Sequence, residues 1–152
     1  MPRRSAGLLI HRGTGDGIEV LLGHPGGPFY ARKDDGSWSI PKGEYTDEDP
    51  LDAARREFVE EVGIAVPDGP AVDLGEVRQS SGKIVTAWAV AGDIDVTVAV
   101  SNTFEMEWPP RSGTLQSFPE IDRVAWFDLQ TADTKILASQ RPFLERLRAA
   151  VG

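Results

Sequence analysis

The sequence predicts an α/β (α+β) fold with about six strands in mixed order and two helices. Three observations predict this class: short apolar segments bounded by turn residues, two segments with helical periodicity, and the interleaving of both kinds along the chain. A chain of 152 residues is long enough for a substantial core, and no Pro/Ser-rich linker or internal repeat divides it. We therefore expect a single domain over residues 1–152.

The first two strands are predicted at Ser5–His11 and Ile18–Gly23, joined by Gly13–Gly17. A glycine-rich loop can cradle a phosphate, but this one is short and joins two strands rather than a strand and a helix. A hairpin turn is therefore predicted. A short strand at Trp38–Ile40 follows the Asp35-Gly36 turn. Further strands are predicted at Ala71–Arg78, Ile84–Ala91 and Val124–Phe127.

The segment Pro50–Val62 is predicted to be a helix. Asp49 can cap its first turn, proline suits the first helical position, and Gly63 supplies a stop. A second helix is predicted at Gln140–Ala150 from the helical spacing of its apolar residues. We expect these residues to pack on a sheet; they are Phe143, Leu144, Leu147 and Val151.

Three carboxylates share one face of the first helix, because Glu57, Glu60 and Glu61 stand at positions i, i+3 and i+4. A separate apolar stripe faces the core and consists of Leu51, Ala54, Phe58 and Val62. Like charges on adjacent turns repel, and a hard divalent cation such as Mg²⁺ or Mn²⁺ would offset that repulsion, since carboxylate oxygens are its preferred ligands. A solvated acidic helix face is the alternative interpretation of this pattern.

The nonapeptide Arg56–Ile64 reads Arg-Glu-Phe-Val-Glu-Glu-Val-Gly-Ile, which matches the core of the Nudix box. Through these residues the chain resembles the Nudix hydrolase family and its MutT-like members. Glu48 lies eight residues before Arg56, as the box requires, but only four residues separate Gly43 from Glu48 where the box has five. We place this one-residue deletion in the turn before the helix, which tolerates it best. The structural positions of the box are then Gly43, Glu48 and Gly63.

The resemblance implies the Nudix fold, a mixed β-sheet sandwiched between α-helices. It also implies hydrolysis of a nucleoside diphosphate linked to another moiety, with water attacking a phosphorus and with Mg²⁺ or Mn²⁺ as cofactor. By the same resemblance, Glu57, Glu60 and Glu61 are metal ligands, and Glu57 is one candidate for the catalytic base. Arg56 is expected to form an ion pair with Glu48 that orients the acidic residues.

A fourth carboxylate is expected from a loop outside the box, either as a metal ligand or as a catalytic group that positions water. Glu120 is the best candidate, because it follows Phe118-Pro119 and lies six residues before Trp126. This spacing is similar to that of the additional glutamate in MutT-like members. A surface acid of a loop is the alternative, and Glu105 and Glu107 compete for the role.

Substrate contacts are predicted from lysines near the site and from the segment 101–120, which we expect to be long and irregular. An aromatic ring of this segment could stack on a base, and a cation could pair with phosphates. The candidates are Lys42, Lys83, Phe104, Trp108 and Arg111. For Lys42 the alternative is a solvated turn residue, and for Phe104 and Trp108 it is a role in pinning the loop to the core.

The net charge of −8 argues against a nucleic-acid polymer as partner, because such binding requires a basic surface. Residues 44–61 contain eight acidic residues and two arginines, which account for −6 of this charge. A polyphosphate would be repelled there unless bound cations inverted the local charge. The acidity therefore favours metal-dependent chemistry on a small nucleotide.

The sequence contains no cysteine, which excludes disulfides, thiol nucleophiles and Cys-ligated zinc. A Ser-His-Asp triad would have to use His11, at a strand end, or His24, beside a turn-rich loop, and neither position favours catalysis. No apolar run approaches the roughly 18 residues of a membrane span, and the first residues do not resemble a signal peptide. We expect a cytoplasmic protein without membrane contact.

The substrate stays open among dinucleoside polyphosphates, nucleoside triphosphates and ADP-sugars, because the box reads the pyrophosphate and not its substituents. The segments Trp38–Glu44, Glu107–Pro110 and Phe118–Asp122 resemble predicted bacterial Nudix NTP pyrophosphohydrolases, a branch similar to diadenosine polyphosphate hydrolases. The alternative is a non-catalytic nucleotide-sensing module. Such a module would be expected to lose box carboxylates, and none is missing here, so only the shortened loop favours it.

Overall fold

The computed structural model describes residues 3–151, which form eight β-strands and three α-helices. The strands are β1 (Arg4–Arg12), β2 (Glu19–Pro25), β3 (Lys42–Glu44), β4 (Val72–Arg78), β5 (Ile84–Ala91), β6 (Thr103–Glu107), β7 (Leu115–Pro119) and β8 (Ile121–Asp128). The helices are α1 (Pro50–Val62), α2 (Leu129–Lys135) and α3 (Arg141–Val151). None of these helices is long and apolar enough to cross a membrane.

Six strands form one mixed sheet in the order β4-β5-β1-β2-β8, with β3 also paired to β1. β1 and β5 run parallel, and the other pairs are antiparallel. One edge of β1 serves two partners, because Ser5–Gly7 pair with β3 and His11–Arg12 pair with β2. Between them the Leu8 amide donates to the Pro41 carbonyl at 3.3 Å. β2 and β3 therefore diverge along the same edge of β1.

Both faces of the sheet are covered by helices. On one face, Phe58 of α1 is fully buried in one core with Leu8 and Ile10 of β1. On the other face, Phe143 of α3 is fully buried in a second core that contains Leu9. Consecutive residues of β1 serve opposite cores because side chains alternate along a strand. The prediction of a mixed sheet between helices is confirmed.

Helix α1 has the predicted bounds, and its two ends show why. The Asp49 carboxylate accepts a hydrogen bond from the Asp52 amide at 3.2 Å. At the other end Gly63 has a φ of +72°, which L side chains rarely adopt, and its amide donates to the Val59 carbonyl at 2.8 Å. A Cβ at Gly63 would lie 2.2 Å from the Val100 carbonyl oxygen, so glycine also lets the chain after β5 pass closely.

The prediction that the segment 101–120 is irregular is wrong. Strands β6 and β7 form an antiparallel hairpin that is a separate two-stranded sheet. Side chains of β6 alternate, with Phe104 and Met106 half-buried and Glu105 and Glu107 exposed. The consecutive prolines 109–110 lie in the turn and not within a strand, where they would remove ladder hydrogen bonds. The alternation was therefore present in the sequence, but the prolines obscured it.

Smaller differences concern short elements. Trp38–Ile40 makes only isolated bridges, and the strand begins at Lys42 instead, because its pairing depends on the distant β1. Helix α2 is not predicted from the sequence, since seven residues are too few for a clear period; the Asp128 carboxylate caps it through the Thr131 amide at 2.7 Å. α3 begins one residue after the predicted Gln140. The other predicted strands are confirmed with end shifts of up to three residues.

Candidate active site

One cleft brings together most of the residues that the sequence predicts for the site. It has a volume of about 380 Å³ and opens where α1, β3 and the start of β5 meet the chain on either side of the β6–β7 hairpin. Its lining includes the predicted residues Lys42, Gly43, Glu57, Glu60, Glu61, Lys83 and Glu120. Four predicted carboxylates and two predicted ammonium groups, from four separate parts of the chain, therefore share one space.

The Arg56 guanidinium connects the carboxylates around this cleft. Its Nη2 donates to Glu48 Oε1 at 2.5 Å, and its Nε lies 3.0 Å from both Glu48 oxygens. Its Nη1 donates to Glu57 at 2.9 Å and to Glu60 at 3.2 Å. The hydrogen bond from Arg56 holds the pKa of Glu48 below its usual range. The shortened turn before α1 therefore does not prevent Glu48 from reaching Arg56.

The Glu57 carboxylate lies directly against the backbone of Gly43. A Cβ at position 43 would lie 2.0 Å from both Cδ and Oε2 of Glu57, so only glycine leaves room for the carboxylate. The Glu57 side chain is only 12% exposed. Burial raises the pKa of Glu57, and the hydrogen bond from Arg56 opposes this change. The backbone of β3 and the Glu57 carboxylate can therefore pack against each other because residue 43 has no side chain.

Glu61 reaches the other side of β3. Its Oε2 accepts a hydrogen bond from the Lys42 amide at 3.1 Å. Burial raises the pKa of Glu61 to about 8; the Lys42 amide lowers it, whereas the nearby charges of Glu57 and Glu120 raise it. The crowded carboxylates therefore favour a bound proton or cation at this position.

Lys42 and Lys83 place two ammonium groups in the same cleft. Burial lowers the pKa of Lys42, and the positive charge of Lys83 lowers it further, whereas the charge of Glu61 raises it. The two ammonium groups are thus close enough to repel each other. An anion between them would relieve that repulsion, and lysine is a common partner of phosphate.

Glu120 is the single residue between β7 and β8. Its amide donates to the Asn102 carbonyl at 2.9 Å, and its carbonyl accepts from the Gly26 amide at 3.0 Å. Its side chain is exposed and lines the cleft with the helix carboxylates, where its charge acts on Glu61. The structure therefore brings Glu120 to the position that the sequence predicts for an additional carboxylate.

The rest of the β6–β7 hairpin does not line this cleft, which leaves out Glu105, Glu107, Phe104, Trp108 and Arg111. Phe104 packs against Phe118 with ring centroids 6.0 Å apart. Trp108 packs edge to face against Phe29 at 5.5 Å. Arg111 lies exposed in the hairpin turn with a φ of +63°. These five side chains therefore do not contribute to the wall of the carboxylate cleft.

The cleft also contains Ser5, Glu44 and Asn102, which are not predicted from the sequence. The Ser5 hydroxyl is buried and finds no hydrogen-bond partner within residues 3–151. Glu44 pairs with Arg3 at 2.5 Å. Ser5 and Glu44 are opposite each other in the β1–β3 ladder, and no local signal in the sequence reveals that pairing.

The carboxylates of the cleft are suitable ligands for a hard divalent cation, although the side chains do not converge on a single point where such an ion would lie. Within residues 3–151, no three Asp, Glu, His or Cys side chains converge closely enough to hold a metal ion. Arg56 bonds the carboxylates of Glu57 and Glu60, and Glu61 accepts from a backbone amide. The fit rests on the four carboxylates in one cleft and on the space that Gly43 leaves for Glu57.

The family model described as NUDIX domain matches residues 1–147, and the chain belongs to the Nudix family. A C. elegans Ap4A hydrolase in a binary complex is 24% identical over 96% of each chain, with a TM-score of 0.64. The NUDIX domain of Shewanella oneidensis NrtR complexed with ADP ribose is 15% identical over 99% of this chain and 88% of that chain, with a TM-score of 0.66.

A MutT protein from Methanosarcina mazei Go1 is 24% identical over 98% of this chain and 95% of that chain, with a TM-score of 0.61. No curated protein matches the chain. The resemblance to the Nudix family inferred from the box is confirmed: the protein is a Nudix hydrolase that acts on pyrophosphate bonds.

Replacing Gly43 with alanine tests the fit between β3 and α1. We expect Gly43→Ala to lower turnover by about a hundredfold, because the added methyl group displaces the Glu57 carboxylate. The free energy of unfolding should change little, since the clash falls on the end of one side chain. Gly17→Ala is the control, because a Cβ there has no neighbour within 4 Å. Steady-state kinetics and urea unfolding of both variants measure this, and wild-type turnover of Gly43→Ala would contradict it.

Arg56 and Glu48 are expected to act as a unit. In a double-mutant cycle on the catalytic rate, Arg56→Ala and Glu48→Ala should couple by about 0.5 kcal/mol or more, because they share a short bidentate ion pair. The control is the same double-mutant cycle on Arg12 and Asp93, an exposed ion pair at 2.7 Å that lies far from the box in sequence. Additive effects of the two box substitutions would show that the pair does not organise the site.

Proposed function

We propose that the protein is a divalent-metal-dependent pyrophosphohydrolase that cleaves a nucleoside diphosphate linked to another moiety by attack of water at phosphorus. A dinucleoside polyphosphate or a nucleoside triphosphate is the proposed substrate. The main support is the assembly of four carboxylates and two lysines in one cleft. Cleaving a phosphoric anhydride requires neutralised charge on the phosphate, a proton acceptor for water and a fixed orientation, and these side chains can provide all three.

The proposed cofactor is Mg²⁺ or Mn²⁺, held by Glu57, Glu60, Glu61 and Glu120. When bound, such an ion neutralises charge on the non-bridging oxygens and makes bound water more acidic. The hydrogen bonds between Arg56 and the helix carboxylates keep those carboxylates on one side of α1. We assign Arg56 this orienting role.

The side chains of the protein then have distinct tasks. Lys42 and Lys83 donate to phosphate oxygens and hold the pyrophosphate against the helix. Glu57 or Glu120 accepts the proton of the attacking water. A new oxygen–phosphorus bond forms, the bridging phosphorus–oxygen bond breaks, and the leaving phosphate departs with the bond electrons. The buried position of Glu57 beside Gly43 keeps bulk water away from one of these two candidate bases.

The length of the β6–β7 hairpin favours a long substrate such as a dinucleoside polyphosphate. Its base at Asn102 and Glu120 lies at the cleft, and Trp108 follows six residues later, about 20 Å along an extended strand at roughly 3.3 Å per residue. A nucleoside attached next to the cleaved bond would not reach the Trp108 ring, whereas one carried by several phosphates would. We therefore assign Trp108 and Arg111 to the distal part of a dinucleoside polyphosphate, and Phe104 to a nearer position on the same path.

A non-catalytic sensing module and an ADP-sugar pyrophosphatase are weaker alternatives. The only support for a sensing module was the shortened turn between Gly43 and Glu48. In the structure Glu48 nevertheless contacts Arg56 and Gly43 contacts Glu57, so the deletion leaves these two box contacts in place. ADP-ribose, the ligand of the NrtR domain, is the appropriate probe for the ADP-sugar alternative.

Hydrolysis should depend on a divalent cation and on Glu61. A panel of dinucleoside polyphosphates, nucleoside triphosphates and ADP-ribose is assayed with Mg²⁺ or Mn²⁺ by phosphate release through a coupled phosphatase. We expect excess EDTA to abolish release, and Glu61→Gln to lower turnover by orders of magnitude because a neutral amide is a poor ligand for a hard cation. Glu145→Gln, at an exposed position of α3, is the control. Undiminished turnover in EDTA would falsify the metal requirement.

Glu120 is expected to matter more than its competitors. At saturating cation and substrate, Glu120→Gln should reduce turnover at least about tenfold, because its carboxylate lines the cleft with Glu61. Glu105→Gln and Glu107→Gln should retain wild-type turnover, because both side chains are exposed and neither lines the cleft. If Glu120→Gln is fully active and either of the other variants is not, the additional carboxylate has been assigned wrongly.

The effect of replacing Trp108 on KM should depend on the length of the substrate. We expect Trp108→Ala to raise KM for a diadenosine tetraphosphate about five- to a hundredfold, because loss of a stacking ring costs about 1–3 kcal/mol per base. KM for ATP should stay unchanged. Leu115→Ala, on the opposite exposed face of the same hairpin, is the control for a general disturbance. Equal changes in KM for both substrates would contradict the assignment of Trp108 to a distal nucleoside.

A further inference from the structure

His24 is a fully buried polar residue that does not line the carboxylate cleft. Its Nδ1 lies 2.7 Å from Asp122 Oδ1, and its Nε2 lies 2.6 Å from the Lys33 carbonyl oxygen. Because a carbonyl oxygen only accepts, Nε2 donates to Lys33. The ring also packs edge-on against Trp38 at 5.2 Å. One side chain therefore ties β2 to β8 and to the loop that follows β2.

Asp122 is the extra residue of a β-bulge. The ladder of β2 and β8 pairs His24 with Arg123 and then Pro25 with Ile121, so Asp122 has no partner on β2. A bulge bends its strand and redirects the neighbouring side chains, and bulges are common beside active sites. The bulge here lies two residues after Glu120, and the contact with His24 holds it in place.

The backbone of Glu120 depends on the same region. Its carbonyl accepts from the amide of Gly26, which lies two residues after His24. The approach is close, because a Cβ at Gly26 would lie 1.9 Å from the Pro119 carbonyl oxygen. The chain around Glu120 is therefore positioned by residues 24–26 on one side and by the bulge at Asp122 on the other.

We infer that the hydrogen-bonded pair of buried His24 and partly exposed Asp122 fixes the position of the Glu120 carboxylate in the cleft, so that His24 and Asp122 are positioning residues for hydrolysis. The pair acts through the bulge and the Gly26 hydrogen bond, not by contact with the reacting atoms. This inference rests on the proposed role of Glu120. It gives a function to a buried histidine that the proposed chemistry does not use.

Kinetics in two backgrounds tests the inference. Asp122→Ala removes the acceptor of His24 at a partly exposed position and should lower turnover about ten- to a hundredfold, as is typical when a group that orients a metal ligand is lost. Asp122→Asn keeps an acceptor oxygen and should recover most of that loss. In the Glu120→Gln background, Asp122→Ala should have no further effect. Asp93→Ala, which removes an exposed partner of Arg12, is the control that should retain wild-type turnover.

Hydrogen exchange of the metal-free protein gives a readout that does not depend on activity. In Asp122→Ala the Gly26 amide, which donates to Glu120, should exchange at least about tenfold faster, because its local opening becomes easier. The Gly63 amide at the end of α1 should keep its rate, which separates local release from global destabilisation. His24→Leu removes the same link from the other side and should also speed exchange at Gly26. Unchanged exchange at Gly26 in both folded variants would overturn the inference.

The two proposals fail in different ways. If Glu120→Gln retains wild-type turnover, the proposed role of Glu120 is wrong and the inference is overturned with it. If Glu120→Gln is impaired but Asp122→Ala lowers turnover by the same factor in both backgrounds, the role of Glu120 stands and only the His24–Asp122 inference is overturned.

Discussion

The site depends on the sharing of one arginine among crowded carboxylates. Glu48, Glu57 and Glu60 all bond the Arg56 guanidinium, within a segment that carries most of the net negative charge of the chain. An isolated surface ion pair contributes little, because solvent screens it and two long side chains must be ordered. Here one planar, rigid group serves three acceptors, so ordering it once orients all of them. The carboxylates can therefore stay close together and directed toward one cleft.

A second constraint is the contact between that helix and the sheet. The edge of β1 pairs first with β3 and later with β2, so these two strands diverge and β3 can approach α1. The approach is close enough that Gly43 touches the Glu57 carboxylate and the Lys42 amide reaches Glu61. Two adjacent residues of β3 thus supply all of these features: Lys42 provides a backbone donor and an ammonium group, and Gly43 provides the space for a carboxylate.

The remaining wall of the cleft comes from the ends of the β6–β7 hairpin. Glu120 closes the hairpin through its hydrogen bond to Asn102 and joins the main sheet through β8. A partly buried polar contact between His24 and Asp122 lies next to this junction. Fully partnered polar groups in a core favour one arrangement over its competitors, because any slip leaves a donor or an acceptor unpaired. The rigid sheet and the polar junction together define where the loop carboxylate stands.

Local sequence is enough to predict helix α1, its caps, the likeness to the Nudix box, and the common face of Glu57, Glu60 and Glu61. Helix geometry places residues three and four apart side by side whatever surrounds them, so these features need no tertiary information. Strands β1, β2, β4, β5 and β8 were also readable from local composition. Other features become visible only in the folded chain: the pairing of β3 with β1, the β6–β7 hairpin, the entry of Ser5 and Asn102 into the cleft, and the exclusion of Glu105 and Glu107 from it. These outcomes follow from hydrogen bonds and close contacts between residues far apart in the chain, whose energies no local stretch of sequence contains.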